Sequence, residues 1–172
     1  AISFHAPKKY KNSAKNERTF LEQINSATRG GVETVDVLSA LDAQHGDYLF
    51  FRSDHHWTAR GAYWAYVAFA KLANVRIASL DEMQKLPTSR FRGSLYGITR
   101  AIELRADPDT LELWKPVPTY ESTILFRGAT RRKQWQGLMQ PKRKNYFAFL
   151  GGDHPMVTAT TSLKNGKSIL LI

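Results

Sequence analysis

Two hydrophobic periods alternate along this chain. In residues 17–27, Phe20, Leu21, Ile24 and Ala27 recur at helical spacing. Asn16 is placed to cap that helix and Gly30-Gly31 to end it. The polar, basic residues ahead of it read as an extended lead-in. Residues 34–37, Thr-Val-Asp-Val, are β-branched and predict a short strand; 38–44 predict a short helix closing near Gly46. The apolar run at 48–51, Tyr-Leu-Phe-Phe, predicts another strand. Thr58 then caps a helix over 59–72, whose Ala62, Tyr66, Phe69 and Ala73 share a face that Tyr63 and Ala70 widen. Gly61 in its first turn costs helix stability but lets a neighbour approach closely. Ser79 and Glu82 make a capping-box pattern for a further turn or two before Pro87.

Past residue 90 the pattern changes. Residues 91–97 carry two glycines and read as a loop. Short apolar runs at 111–114, 123–126, 146–150, 156–161 and 168–172 predict strands, with Asn165-Gly166 a turn before the last. That last run does not alternate, which suits a strand buried on both faces of a sheet. Helices and strands in this order predict one α/β domain over 1–172, with a mainly parallel sheet flanked by helices. The strands and basic residues of 103–145 are then an insertion on that sheet.

A chain of 172 residues is long enough for one domain with a sizeable core. Its 42% hydrophobic content places it among folded rather than disordered proteins. No window reaches the roughly 18 consecutive apolar residues of a membrane-spanning helix. The first residues, Ala-Ile-Ser-Phe-His-Ala-Pro, lack the apolar centre of a secretion signal. Cysteine is absent, which removes disulfides, thiolate metal sites and a cysteine nucleophile. The net charge of +10 points to an anionic neighbour. It is concentrated: Arg127, Arg131, Arg132, Lys133, Lys142, Arg143 and Lys144 fall in one stretch without an Asp or Glu. That stretch is either a solvated loop or a docking surface for a polyanion. A nucleic acid would satisfy the charge but leave the next feature idle, so none is expected.

That feature is Asp54-His55-His56-Trp57, lying between the predicted strand at 48–51 and the helix at 59–72. A carboxylate beside an imidazole can fix its tautomer and steady the imidazolium, so the imidazole serves as general base. In an extended stretch, residues two apart point the same way, which puts Asp54 and His56 on one side and His55 on the other. A loop between strand and helix is also where open α/β sheets place their sites. The competing readings are a polar turn with locally bonded histidines, and a metal site in which His55 or His56 joins Asp54, Asp153 or His154. Adjacent histidines converge on one ion only across a bend, and no metal or other cofactor is expected. A two-metal phosphoesterase needs further Asp and His motifs that the 15 acidic residues do not assemble. Gly151-Gly152-Asp153-His154 is a second candidate: glycines after a strand can turn backbone N–H groups toward an oxyanion, and Asp153 or His154 can line a cleft.

The segment Tyr-Leu-Phe-Phe-Arg-Ser-Asp-His-His-Trp-Thr at 48–58, followed by Gly61-Ala-Tyr63, resembles the signature of the bacterial DHHW proteins. These look related to the alginate O-acetylation proteins of the SGNH hydrolase-like group. Phe91-Arg-Gly-Ser-Leu-Tyr96, Tyr146-Phe-Ala-Phe-Leu-Gly-Gly-Asp-His-Pro155 and Asn165-Gly-Lys-Ser-Ile-Leu-Leu-Ile172 agree with it. The resemblance implies an SGNH-like fold, a place outside the cytoplasm at the bacterial cell surface or periplasm, and transfer of acetyl groups to a surface polysaccharide. It makes Asp54 and His56 catalytic, with a membrane-bound acyltransferase supplying the acyl group; His55 and Trp57 are motif neighbours, Trp57 packing beneath. Such proteins carry their nucleophile in a Lys-Asp-Ser-Tyr turn after a strand ending Leu-Leu-Ile. This chain ends at Ile172. It is therefore expected to be a truncated piece that holds the Asp–His part without the Ser. The alternative is a non-catalytic surface domain that binds an anionic glycan or wall polymer through the basic stretch.

Overall fold

The structure, a computed structural model, describes residues 11–28, 33–116, 120–125, 132–135, 139–152 and 154–161. The chain divides into two compact units, one of residues 1–79 with 92–109, the other of 80–91 with 110–172.

The first unit is helical. Helix α1, Lys11–Ala27, begins well ahead of the predicted Asn16 cap. Its predicted apolar stripe stays in solvent: Phe20, Leu21 and Ile24 are all exposed. Residues 34–37 do not form a strand. Asp36 instead caps α2, Val37–Asp42, by accepting from the Ser39 N–H at 3.0 Å. Helix α3, Ala59–Leu72, has the predicted bounds. The Thr58 hydroxyl accepts from the Gly61 N–H at 3.2 Å, satisfying one of the N–H groups that the first turn leaves without an intrahelical partner. Gly61 does admit a close neighbour, since a methyl group there would overlap the Leu49 carbonyl oxygen. Leu41, Leu49, Phe51, Val67 and Ala70 form the core of this unit. Of two short helices, α4 (Ser94–Thr99) and α5 (Ile102–Ala106), the first begins inside the stretch 91–97 that reads as a loop. Arg100, in the left-handed conformation at φ 53°, ends α4.

The second unit holds the strands: β1 Gln84–Lys85, β2 Ser89–Phe91, β3 Asp109–Leu111 (its first residue belonging to the first unit), β4 Trp114–Lys115, β5 Tyr120–Leu125, β6 Arg132–Trp135 and β7 Met156–Thr161. Strand β1 pairs with β4 antiparallel, and β2 with β3. The largest sheet has the order β6-β5-β7 with both pairings antiparallel; Ser122 sits opposite Trp135 on one side and Ala159 on the other. Phe91, Leu111, Leu113 and Ala148 are the buried apolar residues of the second unit among those described.

This overturns the expected architecture. Among the described residues there is no parallel core sheet flanked by helices, and so no SGNH-type fold. The run at 48–51 contributes a single antiparallel bridge, Phe50 to Trp57, and the run at 146–150 forms a 3-10 turn over Tyr146–Ala148. An apolar run shows that a segment is buried, not what it pairs with. The predicted turn at Asn165-Gly166 and the strand at 168–172 lie outside the described residues. No helix among the described residues is long and apolar enough to cross a membrane.

Candidate active site

Asp54, His55 and His56 occupy a tight bend rather than an extended stretch. The Phe50–Trp57 bridge closes it, together with the Phe51 N–H donating to the His56 carbonyl at 3.3 Å. In a bend the two-residue alternation of side chains no longer holds. His55 is therefore not on the opposite side: the two imidazole rings lie 3.9 Å apart between centroids, tilted by 36°.

A second segment holds this bend. The Ser53 carbonyl accepts from the N–H groups of Leu95 and Tyr96 at 2.9 and 3.2 Å, and the Ser53 hydroxyl accepts from the Gly93 N–H at 3.0 Å. Asp54 Oδ2 accepts from the Ser94 N–H at 2.7 Å. Gly93 has an ordinary extended backbone, with φ −83°. Its requirement is space, because a methyl group there would overlap the Asp54 side chain. Beneath the bend lies Asp109, only 2% exposed. Its carboxylate accepts from the Tyr48 hydroxyl at 2.6 Å, the Arg52 N–H at 3.1 Å, the Ser53 N–H at 2.7 Å and the Ser53 hydroxyl; the Arg52 guanidinium adds a contact at 3.2 Å. The Thr58 hydroxyl donates to the Tyr48 carbonyl at 2.6 Å, tying the start of α3 to the chain entering the bend.

Asp54 is 6% exposed and His56 half-buried. Asp54 Oδ1 accepts from His56 Nδ1 and, at 3.1 Å, from the His56 backbone N–H. Burial pushes the Asp54 carboxyl up, but the hydrogen bonds from Ser94 and His56 outweigh it and hold the group below the usual carboxylate range. An ionised carboxylate only accepts, so Nδ1 carries the proton and Nε2 is the ring nitrogen left with a lone pair. Asp109 is likewise held low: burial raises it, and the Ser53 and Tyr48 hydroxyls with the Arg52 and Ser53 N–H groups lower it further than burial lifts it.

The structure thus brings together Asp54, His55 and His56 and adds Ser94, whose hydroxyl shares a hydrogen bond with His55 Nδ1 at 3.0 Å. Trp57 does not pack fully beneath the motif; it is 37% exposed. Gly151, Gly152 and His154 belong to the second unit, with Gly151 and Gly152 at φ 74° and 131° and Leu150 at 53°. Asp153, Arg127 and Arg131 lie outside the described residues. Arg132 and Lys133 are on β6, opposite Leu125 and Ile124 of β5, while Lys142, Arg143 and Lys144 are exposed. A groove of about 400 Å³ lined by Val35, Trp64, Val67 and Leu72 shares no residue with the Asp54–His56 cluster. Gly93, Ser94 and Asp109 were not singled out as site residues from the sequence. The Phe-Arg-Gly-Ser-Leu-Tyr stretch at 91–96 carried a signal for the first two; Asp109 carried none.

A buried carboxylate locking the imidazole two residues on, in a bend just before a capped helix, defines this as an Asp–His site. The model of the DHHW protein family matches residues 4–172, and the chain belongs to that family. It is similar to the crystal structure of a DHHW family protein from Eubacterium siraeum, at 30% sequence identity and a TM-score of 0.72. That match covers 80% of this chain and 48% of the other, so this chain spans about half the length of that relative. No curated protein matches it.

Proposed function

We propose that Asp54 and His56 are the general-base part of an acyl-transfer site that acts on hydroxyl groups of a cell-surface polysaccharide outside the cytoplasm. The observation that carries this reading is the buried Asp54 carboxylate bonded to His56 Nδ1 while the His56 ring keeps a partly exposed edge. His56 Nε2 takes the proton of a hydroxyl as its oxygen attacks an acyl carbonyl carbon. The Asp54 carboxylate steadies the imidazolium, which returns the proton to the leaving oxygen. The resemblance of the DHHW signature to that of alginate O-acetylation proteins is what supports the acyl chemistry, the polysaccharide acceptor and a membrane-bound acyltransferase as donor.

At its full native length, the protein is expected to be labelled by a serine-reactive fluorophosphonate. His56→Ala should slow that labelling at least a hundredfold, the low end of what a positioned base contributes, about 10²–10⁴. Labelling of the variant at the wild-type rate would remove His56 as the base.

A further inference from the structure

His55 has no part in the proton transfer described above, yet the fold places it deliberately close. The bend at residues 52–56 supplies the one geometry that lets neighbouring histidines face a common point. Their rings overlap at 3.9 Å, and His55 Nδ1 lies 3.8 Å from the same Asp54 oxygen that bonds His56 Nδ1. The other Asp54 oxygen is held by the Ser94 N–H, so Oδ1 is the one turned toward both rings. One donor atom from each of Asp54, His55 and His56 lies within 4.8 Å of the other two. The Ser94 hydroxyl stands 3.0 Å from His55 Nδ1.

We propose that Asp54, His55 and His56 bind one divalent transition-metal ion of the Zn²⁺ class, and that this ion and the general base exclude one another. Two imidazole nitrogens and a carboxylate oxygen make a borderline donor set that favours Zn²⁺, Co²⁺ or Ni²⁺ over the all-oxygen shells of Mg²⁺ and Ca²⁺. Bonds of about 2.0–2.2 Å at tetrahedral angles set ligand atoms roughly 3.3 Å apart. The donors must close by on the order of 1 Å, and the His55 side chain, 65% exposed, is free to swing by that much. Asp54 is already oriented by the Ser94 N–H, so the carboxylate ligand is pre-positioned. Coordination at His56 Nδ1 forms the metal–nitrogen bond and breaks the N–H bond; that proton leaves to solvent while Nε2 takes one up, so the ring stays a neutral ligand and Nε2 can no longer accept a proton. The ion then occupies the place of the proton that tied His56 to Asp54, and the imidazole is no longer held for catalysis. Three protein ligands leave a position for water or for the Ser94 hydroxyl.

The inference goes beyond the acyl-transfer reading, and binding is read without any activity. The test is titration of the metal-free protein with Co²⁺, followed by visible absorption. The expected result is one ion per chain with the intense bands of a four- or five-coordinate site, displaced by Zn²⁺ and untouched by Mg²⁺. His55→Ala and His55→Gln, both at an exposed side chain, should weaken binding at least tenfold; His45→Ala, in the turn after α2, should not. Absence of the bands, or bands that survive both His55 substitutions or vanish with His45→Ala, would overturn the site. Fluorophosphonate labelling in the absence of metal judges His56 as base separately, so failure of one reading leaves the other measurable.

Discussion

Two buried aspartates in the first unit meet the same bend from opposite requirements. Asp109 spends every contact on the protein itself: backbone N–H groups, two hydroxyls and a guanidinium converge on it. Asp54 spends two contacts on backbone N–H groups and another on an imidazole whose other edge reaches solvent. Both are held below the usual carboxylate range, so a lowered pKa does not by itself separate a structural carboxylate from a chemical one. The partners do. A saturated carboxylate orders the backbone, whereas one that terminates on a titratable ring orders that ring.

The sharpest challenge to this contrast is a matched pair of substitutions. Asp109→Asn should destabilise the protein by on the order of 3 kcal/mol, because either amide orientation turns an NH₂ toward buried donors. Asp54→Asn should cost less, about 1 kcal/mol, since its NH₂ meets the single backbone N–H of Ser94 while the retained oxygen still accepts from His56. Urea unfolding of the two variants measures the difference, and equal losses would break the comparison. The pH dependence carries the same sign for both groups. A carboxyl whose folded pKa is depressed contributes its full stability above the ordinary aspartate value near 3.8 and loses it as pH falls through the lower folded value. Asp109→Asn and Asp54→Asn should therefore each flatten the acid limb of the stability profile below about pH 4.

A smaller effect is expected at Gly93. An alanine there meets the Asp54 side chain, so the two segments must separate. Overpacking of this kind costs about 1–3 kcal/mol, and it should slow fluorophosphonate labelling while leaving the β6-β5-β7 sheet untouched in amide exchange. The smallest falls on Thr58→Ala. Losing the cap should lower stability by about 1 kcal/mol. Labelling should persist, because the bend is still closed by the Phe50–Trp57 bridge and held by Asp109.

The parts that were legible in the sequence are those written in short-range chemistry. Thr58 and the apolar spacing after it set both ends of α3, and β7 at Met156–Thr161 appeared where the short run at 156–161 placed a strand. Gly61 announced a close approach, and a methyl group there would indeed overlap a backbone oxygen. The Asp54–His56 partnership was visible because only one residue separates them. Elsewhere local reading misled. Residues 91–97 looked like a loop because their glycines are poor helix formers, yet Ser94–Thr99 is helical where the Leu95 and Tyr96 N–H groups bond to the Ser53 carbonyl. The expected parallel sheet failed because apolar runs do not encode the direction of pairing.

By itself, then, the sequence determined the capped helix after the motif, the charge it carries and the identity of an acid–imidazole pair. Only the tertiary structure decided what surrounds that pair. It bent the chain so that His55 joined His56, set Gly93 and Ser94 against Asp54 from 40 residues away, and placed Asp109 beneath Ser53 from 56 residues away. The physical reason is one of range. Capping and helical spacing are settled within a few residues, while a buried carboxylate must collect its donors from wherever the folded chain brings them.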